Sequence, residues 1–366
     1  MRISKIIALL IISSLMNTVS AQNYILQGII GKKIAILSLV KEGKEIYDAK
    51  YYLAENRDVV LLEANYIDAT NLILYSLDAN NEDTLSRFYL KFEDQYRQLN
   101  GTFMGNDGLK EEAYFNWLDI TKIKHNYASN NMVKSFKTEI PFLYTYTSDL
   151  KFDANVKEVL NGKFDKITIV KNKANSIPSL RFVAASSAEK KIEAFCDSIG
   201  LEQIVAAIDC GMEYEVRLTV KRFDQHIISL EYYVSWFCGG AYPDSYTQGY
   251  TFNRKTGEQI TLSRLFNLAD EETSNDSLNK LAIQANEAII RSMVKETLKN
   301  DGGSLCDYDN YPLFGEKNFY IDKTNIHFLP DFPRALAACR DSKLSHVRLS
   351  KVKTLMDASL QPLFLE

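Results

Sequence analysis

Histidine, tryptophan and proline are scarce, at 4, 2 and 7 of 366 residues. None of His125, His226, His327 and His346 has a second histidine or a carboxylate at a ligand spacing such as H-x-x-x-H, and each looks isolated. The helical zinc-hydrolase signature is therefore excluded. A G-x-S-x-G elbow, a phosphate-binding P-loop, S-x-x-K and G-x-G-x-x-G are also missing, so no residue is marked as catalytic, as a metal ligand or as a cofactor contact. The chain has no excess of one charge either: 43 Lys and Arg stand against 47 Asp and Glu, a net charge of −4. Such a mixed surface draws neither nucleic acid nor an anionic membrane. Beyond the first residues, no apolar run approaches the roughly 20 residues that cross a bilayer. The expectation is no membrane span in the mature chain.

The N-terminus carries the one long apolar run. Arg2 and Lys5 give a positive start, Ile6 to Met16 an apolar stretch, and Val19-Ser20-Ala21 small residues at a cleavage site, the three parts of a secretory signal peptide. Residues 1–21 are expected to be removed, leaving Gln22 first. Gln22 is not a cysteine, which disfavours a lipid anchor. The localisation expected is periplasmic or secreted.

About 345 residues remain, comfortable for two domains. At 46% hydrophobic and 11% aromatic they can bury a large core. The fold class read from them is α+β. Residues 22–130 form an antiparallel β-domain, and 131–366 an α+β domain with antiparallel hairpins and one long helix. In the first part, short strand-like runs recur at Ile34–Val40, Ile46–Leu53, Val59–Leu62, Leu72–Leu74, Arg87–Phe92 and Gly101–Phe103. Their spacing of roughly ten residues suits a small barrel or a curved sheet equally.

In the second part, Ser187 to Ile199 reads as an amphipathic helix through Ile192, Phe195, Cys196 and Ile199. Tyr214, Val216, Leu218 and Val220 alternate with polar residues, as do Ile228, Leu230, Tyr232, Val234 and Trp236, with Lys221–Gln225 between the two runs. The pair reads as a hairpin. A third strand carries Tyr246, Gln248, Tyr250 and Phe252 on one face, and Ile260–Leu262 returns after a Thr-Gly turn. Ser277 to Lys299 is the longest helix, with Leu278, Leu281, Ala285, Ala288, Ile289 and Met293 as its apolar stripe. Asn318 to Leu329 closes the sequence of strands.

The most unusual local run is Trp236-Phe237-Cys238-Gly239-Gly240-Ala241-Tyr242-Pro243-Asp244. Two glycines after bulky residues let the backbone turn tightly or approach something closely. One reading is a bulge leading into the next strand. The other is an exposed aromatic loop that anchors a partner, with Trp236, Gly239, Gly240, Tyr242, Asp244 and Tyr246 as the candidate binding residues. Carboxylate pairs such as Glu111-Glu112 and Glu271-Glu272 sit in charged stretches and read as solvated faces.

The run Trp236 to Phe266 resembles a domain of bacterial envelope proteins. Relatives occur in the extracellular part of lysozyme-sensing anti-sigma factors (the RsiV type) and beside peptidoglycan deacetylases (the PdaC type). The matching pieces are Gly239-Gly240-Ala241-Tyr242, the strand Tyr246–Phe252, Thr256-Gly257 and Ile260–Phe266, with Asn318–Ile321 and Ile326–Phe328 as final strands. Tyr242 stands where many relatives carry histidine, so no role of that histidine transfers. The resemblance covers roughly the last 180 residues. It implies an α+β envelope domain with a binding role and no metal-ligand motif of its own.

Five cysteines, Cys196, Cys210, Cys238, Cys306 and Cys339, all lie in the second part. An oxidising compartment favours pairing and leaves one over. If Val220 opposes Ile228, then Cys210 opposes Cys238 at the open end of the hairpin, within bonding distance. Cys196, in a helix stripe, suits a buried free thiol, and Cys306 with Cys339 follows by elimination. The function expected is an exported binding protein for an envelope or host protein such as lysozyme, or for cell-wall glycan. A hydrolase of peptidoglycan or glycan that works through carboxylates alone is the alternative, and an assembly protein is a third reading.

Overall fold

A computed structural model describes residues 22–42, 45–68, 70–77, 84–93, 97–127, 130–150, 152–158, 166–239, 242–267, 277–300, 319–329, 332–340 and 345–364. The proposed signal peptide, Gly240 and Cys306 lie outside them. The chain divides into two units, 1–150 and 151–366.

The first unit is a closed barrel of eight antiparallel strands in chain order. They are β1 (Gln22–Ile30), β2 (Lys33–Glu42), β3 (Glu45–Leu53), β4 (Val59–Tyr66), β5 (Asn71–Leu77), β6 (Thr84–Glu93), β7 (Gln98–Met104) and β8 (Lys110–Trp117). Closure comes from β1 against β8, Gly28 opposite Phe115. This resolves the choice between barrel and curved sheet. Strand alternation sends Leu26, Leu37, Leu72, Leu74, Phe88, Leu99 and Phe115 inward, and all are fully buried. An eight-stranded barrel is just wide enough for such side chains to fill it. β1 and β8 escaped the sequence reading. β8 opens Lys-Glu-Glu, and only Ala113 and Phe115 on its inner face report burial.

Two helices follow, α1 (Asn131–Glu139) and α2 (Pro141–Ser148). They cover part of the barrel's outside, where Tyr52 meets the Phe142 and Tyr146 rings edge-on at 5.7 and 5.0 Å. Arg57 donates to the Tyr146 carbonyl at 2.8 Å, and Tyr146 Oη donates back to the Arg57 carbonyl at 3.1 Å. The division thus falls after Leu150 and not at residue 130, because these helices belong to the barrel.

The second unit is organised around α3 (Ser187–Cys210). A three-stranded sheet of β9 (Phe152–Glu158), β10 (Ile167–Asn172) and β11 (Pro178–Phe182) packs on it. Arg181 and Ser179 both bond Asp197 of the helix, at 2.9 and 2.6 Å. The four-stranded sheet is β12 (Glu213–Phe223), β13 (Ile227–Phe237), β14 (Asp244–Asn253) and β15 (Gln259–Ile260). Phe195 of α3 sits edge-on to Tyr250 and Phe252 at 5.2 and 5.0 Å. Short α4 (Leu262–Phe266), long α5 (Ser277–Asn300), a three-stranded sheet of β16 (Phe319–Ile321), β17 (Asn325–Phe328) and β18 (His346–Arg348), and α6 (Leu349–Val352) and α7 (Gln361–Phe364) complete the unit. They share one apolar core with Ile227 and Ile260. Among the described residues, no helix is long and apolar enough to cross a membrane.

Several expectations need correcting. α3 runs eleven residues past Ile199, to Cys210, before Gly211 caps it in the left-handed region (φ 64°). β12 does not stop at Val220. It continues through Phe223, with a bulge after Val220, so Lys221 to Phe223 belong to the strand and not the turn. The register is Val220 opposite Leu230 and not Ile228. Cys210 and Cys238 are bonded all the same, with Cα atoms 4.7 Å apart, although neither lies in a strand. Cys210 ends the helix that precedes β12, and Cys238 directly follows β13. In place of a returning strand over Ile260 to Leu262 there is a two-residue strand, Gln259–Ile260, and Leu262 begins α4. In α5, Ile290 and Val294 are buried and Met293 packs against the same core as expected, while Ala285, Ala288 and Ile289 are exposed; the side chains of Leu278 and Leu281 lie outside the described ones. Cys196 is free and buried as expected. Cys339 is disulfide-bonded; its expected partner, Cys306, is outside the described residues.

Candidate functional site

The central sheet has two faces, set by strand alternation. Ile228, Leu230, Tyr232 and Val234 are buried toward α3. The opposite face of β13 carries Glu231, Tyr233 and Ser235. At the Ile227 end this opposite face is covered by β16, where Ser229 Oγ accepts the Ile321 N–H at 2.8 Å. At the Tyr233 end it stays open. There lies a groove of about 650 Å³. Tyr233, Ser235, Asp244 and Ser245 line it from the sheet, Tyr242 and Pro243 from the β13–β14 connection, and Ala335 from the 3-10 turn Arg334–Arg340.

The groove is firmly held. Arg340 donates through Nε to the Phe332 carbonyl at 2.6 Å and through Nη1 to Asp244 Oδ1 at 2.8 Å, and also bonds the Ser245 carbonyl. Asp244 Oδ1 accepts the Ser245 N–H as well. The neighbouring Cys339 is disulfide-bonded. Beside the groove, the Arg217 guanidinium lies 4.3 Å from the Tyr233 ring centre and 3.4 Å from Glu215. A cation over a tyrosine face orients that ring and leaves its edge for contact.

The five expected binding residues that are described do not form one patch; Gly240 lies outside the described residues. Tyr242 and Asp244 line the groove, and Tyr242 is 72% exposed. Gly239 turns the chain out of β13 with a φ of 86°, the left-handed conformation that explains a glycine there. Trp236 and Tyr246 face the other way. Their rings meet at 5.6 Å, and Tyr246 Oη donates to Gln203 of α3 at 3.3 Å, beside Tyr214 Oη at 2.8 Å. Burial pushes the Tyr246 hydroxyl above the usual phenol range, and the bond to Gln203 pulls against it. Both rings are half-buried and pack within the unit, away from the groove.

Sequence reasoning missed Tyr233, Ser235, Ser245, Ala335 and Arg340. Tyr233 left a signal: an aromatic on the polar parity of a strand, between Glu231 and Ser235. Arg340 left none, because ninety-six positions separate it from Asp244.

Other chemistry-bearing groups are committed elsewhere. Burial pushes the Cys196 thiol up to about 12, despite the opposing effect of Tyr232, so it is no nucleophile at neutral pH. The histidines are not all isolated. His327 Nε2 lies 2.7 Å from Asp322, and its ring stacks between Tyr320 and His346 at 4.5 and 5.5 Å. Partial burial would raise the Asp322 carboxyl. Bonds from His327 and from the Thr324 and Asn325 N–H groups outweigh this and hold it near 2. Among the described residues no group of three or more His, Cys, Asp or Glu could hold a metal ion. No family model matches this chain, and neither does any curated protein, so the site is judged on its geometry.

Proposed function

We propose that the chain is an exported binding protein of the bacterial envelope, whose second unit holds a protein partner in the groove beside Tyr242. The observation that carries this is Tyr242 itself: a large aromatic, 72% exposed, at the rim of an open groove. Tyrosine is a preferred anchor at protein interfaces because it brings a large contact area with few rotatable bonds. The Asp244–Arg340 ion pair and the disulfide at Cys339 hold the walls before any partner arrives, which limits the ordering cost of binding. Export is supported by the bonded cysteines, which suit an oxidising compartment, and by the composition of Met1 to Ala21. On that reading, protein recovered from its host begins at Gln22 by mass analysis.

The resemblance to lysozyme-sensing proteins makes lysozyme the first partner to test. Immobilised mature protein is expected to bind lysozyme saturably, and Tyr242→Ala to weaken binding at least tenfold with an unchanged melting temperature. Equal binding by the variant would remove the groove from the proposal, and no binding to the wild type would remove lysozyme. A glycan hydrolase, by contrast, needs two carboxylates about 5–10 Å apart. Among the described residues lining the groove, Asp244 is the one carboxylate, and Arg340 already holds it.

A further inference from the structure

The barrel has a feature that the groove of the second unit does not use. At one end, a cavity of about 510 Å³ opens among the starts of β2, β4, β6 and β8 and the ends of β5 and β7. Its apolar walls include Val60, Leu85 and Phe103, and its rim includes Lys33, Asn106, Asp107 and Glu111. Ser76 and Ser86 stand directly opposite each other on β5 and β6. They are 5% and 8% exposed, and their hydroxyls are 2.7 Å apart. The Tyr51 hydroxyl, itself buried, is bonded to Ser86. All three line the cavity.

Three hydroxyls gathered at one end of a barrel filled mostly by apolar side chains are unusual, because a buried polar group is costly unless it is bonded. The two bonds among them use two of their three O–H donors. One donor and several acceptor positions remain for whatever enters. Below them the barrel is closed by Leu72, Leu74, Phe88 and Leu26, each fully buried. No long acyl chain can be threaded inward.

From this arrangement we infer that the barrel mouth is a binding site for a small neutral pyranose, a single sugar unit or the end of a glycan. A floor of hydroxyls both donates and accepts, which matches a ligand made of hydroxyls. An anion would need donors alone, and it would meet Asp107 and Glu111 at the rim, where the one cationic lining residue, Lys33, is already paired with Glu55 at 3.4 Å. An apolar ligand would leave the spare O–H without a partner. The Phe103 ring offers an apolar surface to the C–H face of a sugar. The cavity is within the size range of small-molecule sites, and barrel mouths are a recurrent place for them.

The test uses the full mature chain, with saturation-transfer NMR against glucose and N-acetylglucosamine, and with butyrate and decanoate as the anionic and acyl probes. Transfer to the sugar ring protons, with neither acid competing, is the expected result. The Ser76→Ala/Ser86→Ala double variant is expected to lose at least tenfold in affinity. It removes both members of the serine pair together, and the Tyr51 hydroxyl, which loses Ser86, keeps its place on the cavity wall. Asn106→Trp, at an exposed rim position, is expected to abolish binding by filling the mouth, and it decides the matter alone should the double variant fail to fold. Absence of sugar transfer, binding of decanoate in its place, or sugar binding undiminished by Asn106→Trp would each overturn the inference. None of these outcomes depends on the lysozyme test, which reads the other unit.

Discussion

Four positions separate Tyr242 from Tyr246, yet one residue is 72% exposed and the other packs on Trp236 and bonds Gln203. Replacing each with alanine should therefore separate binding from stability. Tyr242→Ala is expected to leave the urea midpoint unchanged, since exposed substitutions away from special features stay within about 0.5 kcal/mol. Tyr246→Ala is expected to cost about 2–3 kcal/mol through the lost ring contact and the cavity left behind. Equal midpoints for the two variants would return Tyr246 to the surface. A second residue-level outcome concerns acid. The Asp322 carboxyl is held near 2, below its ordinary 3.8. The ionised form is thus favoured by folding, and its contribution is complete above the ordinary value and lost as pH falls through about 2. Asp322→Asn should be less stable than the wild type at about pH 6, and the gap should close as the pH drops from about 4 to 2. A gap independent of pH would mean that the carboxylate's charge is irrelevant there.

α3 and the hairpin after it show what could be read from the sequence at the scale of elements, and why the rest was hidden. The parity of β12, β13 and β14 was legible because one face of each is buried by α3, so apolar residues recur every second position. The length of α3 was not legible. Sheets press on it from more than one side, so its second half buries Gly200, Leu201, Gln203, Ile204 and Ile208 without a single clean stripe. The hairpin register was misread because the bulge after Val220 takes up a residue that alternation cannot reveal. The same parity, applied strictly, would have placed Trp236 and Tyr246 on the buried face and offered Tyr233 in their place. The disulfide survives the wrong register because Gly211 turns the helix end back beside the end of β13. It joins two elements with 28 positions between its cysteines, and closing a loop of that length is worth about 3–4 kcal/mol. The Cys210→Ala/Cys238→Ala pair should lower the unfolding free energy by about that amount, as read from denaturant midpoints with constant m. Gly211→Ala, which forces a side chain into the left-handed region, should cost about 1 kcal/mol. A double variant as stable as the wild type would show the bond to be dispensable.

The distribution of cysteines across the whole molecule allows the two units to be told apart in one experiment. All five are in the second unit, while the barrel of 22–117 holds none. Each unit has its own apolar core, one inside the barrel and one built from Ile227, Phe266, Phe319, Phe328 and Val347 with their neighbours. Units with separate cores can unfold as separate cooperative transitions. Calorimetry of the mature chain should therefore resolve two transitions, and reductant should move only one of them. The transition that moves must be the second unit's, because Cys210–Cys238 and the bond at Cys339 both constrain it. The barrel's transition should hold its temperature under reductant and should rise when a saturating neutral sugar is added, since a ligand that binds only the folded form stabilises it by mass action. Lysozyme, bound at the groove, should raise the other transition instead. A single transition that reductant shifts as a whole would mean that the barrel's stability depends on the second unit.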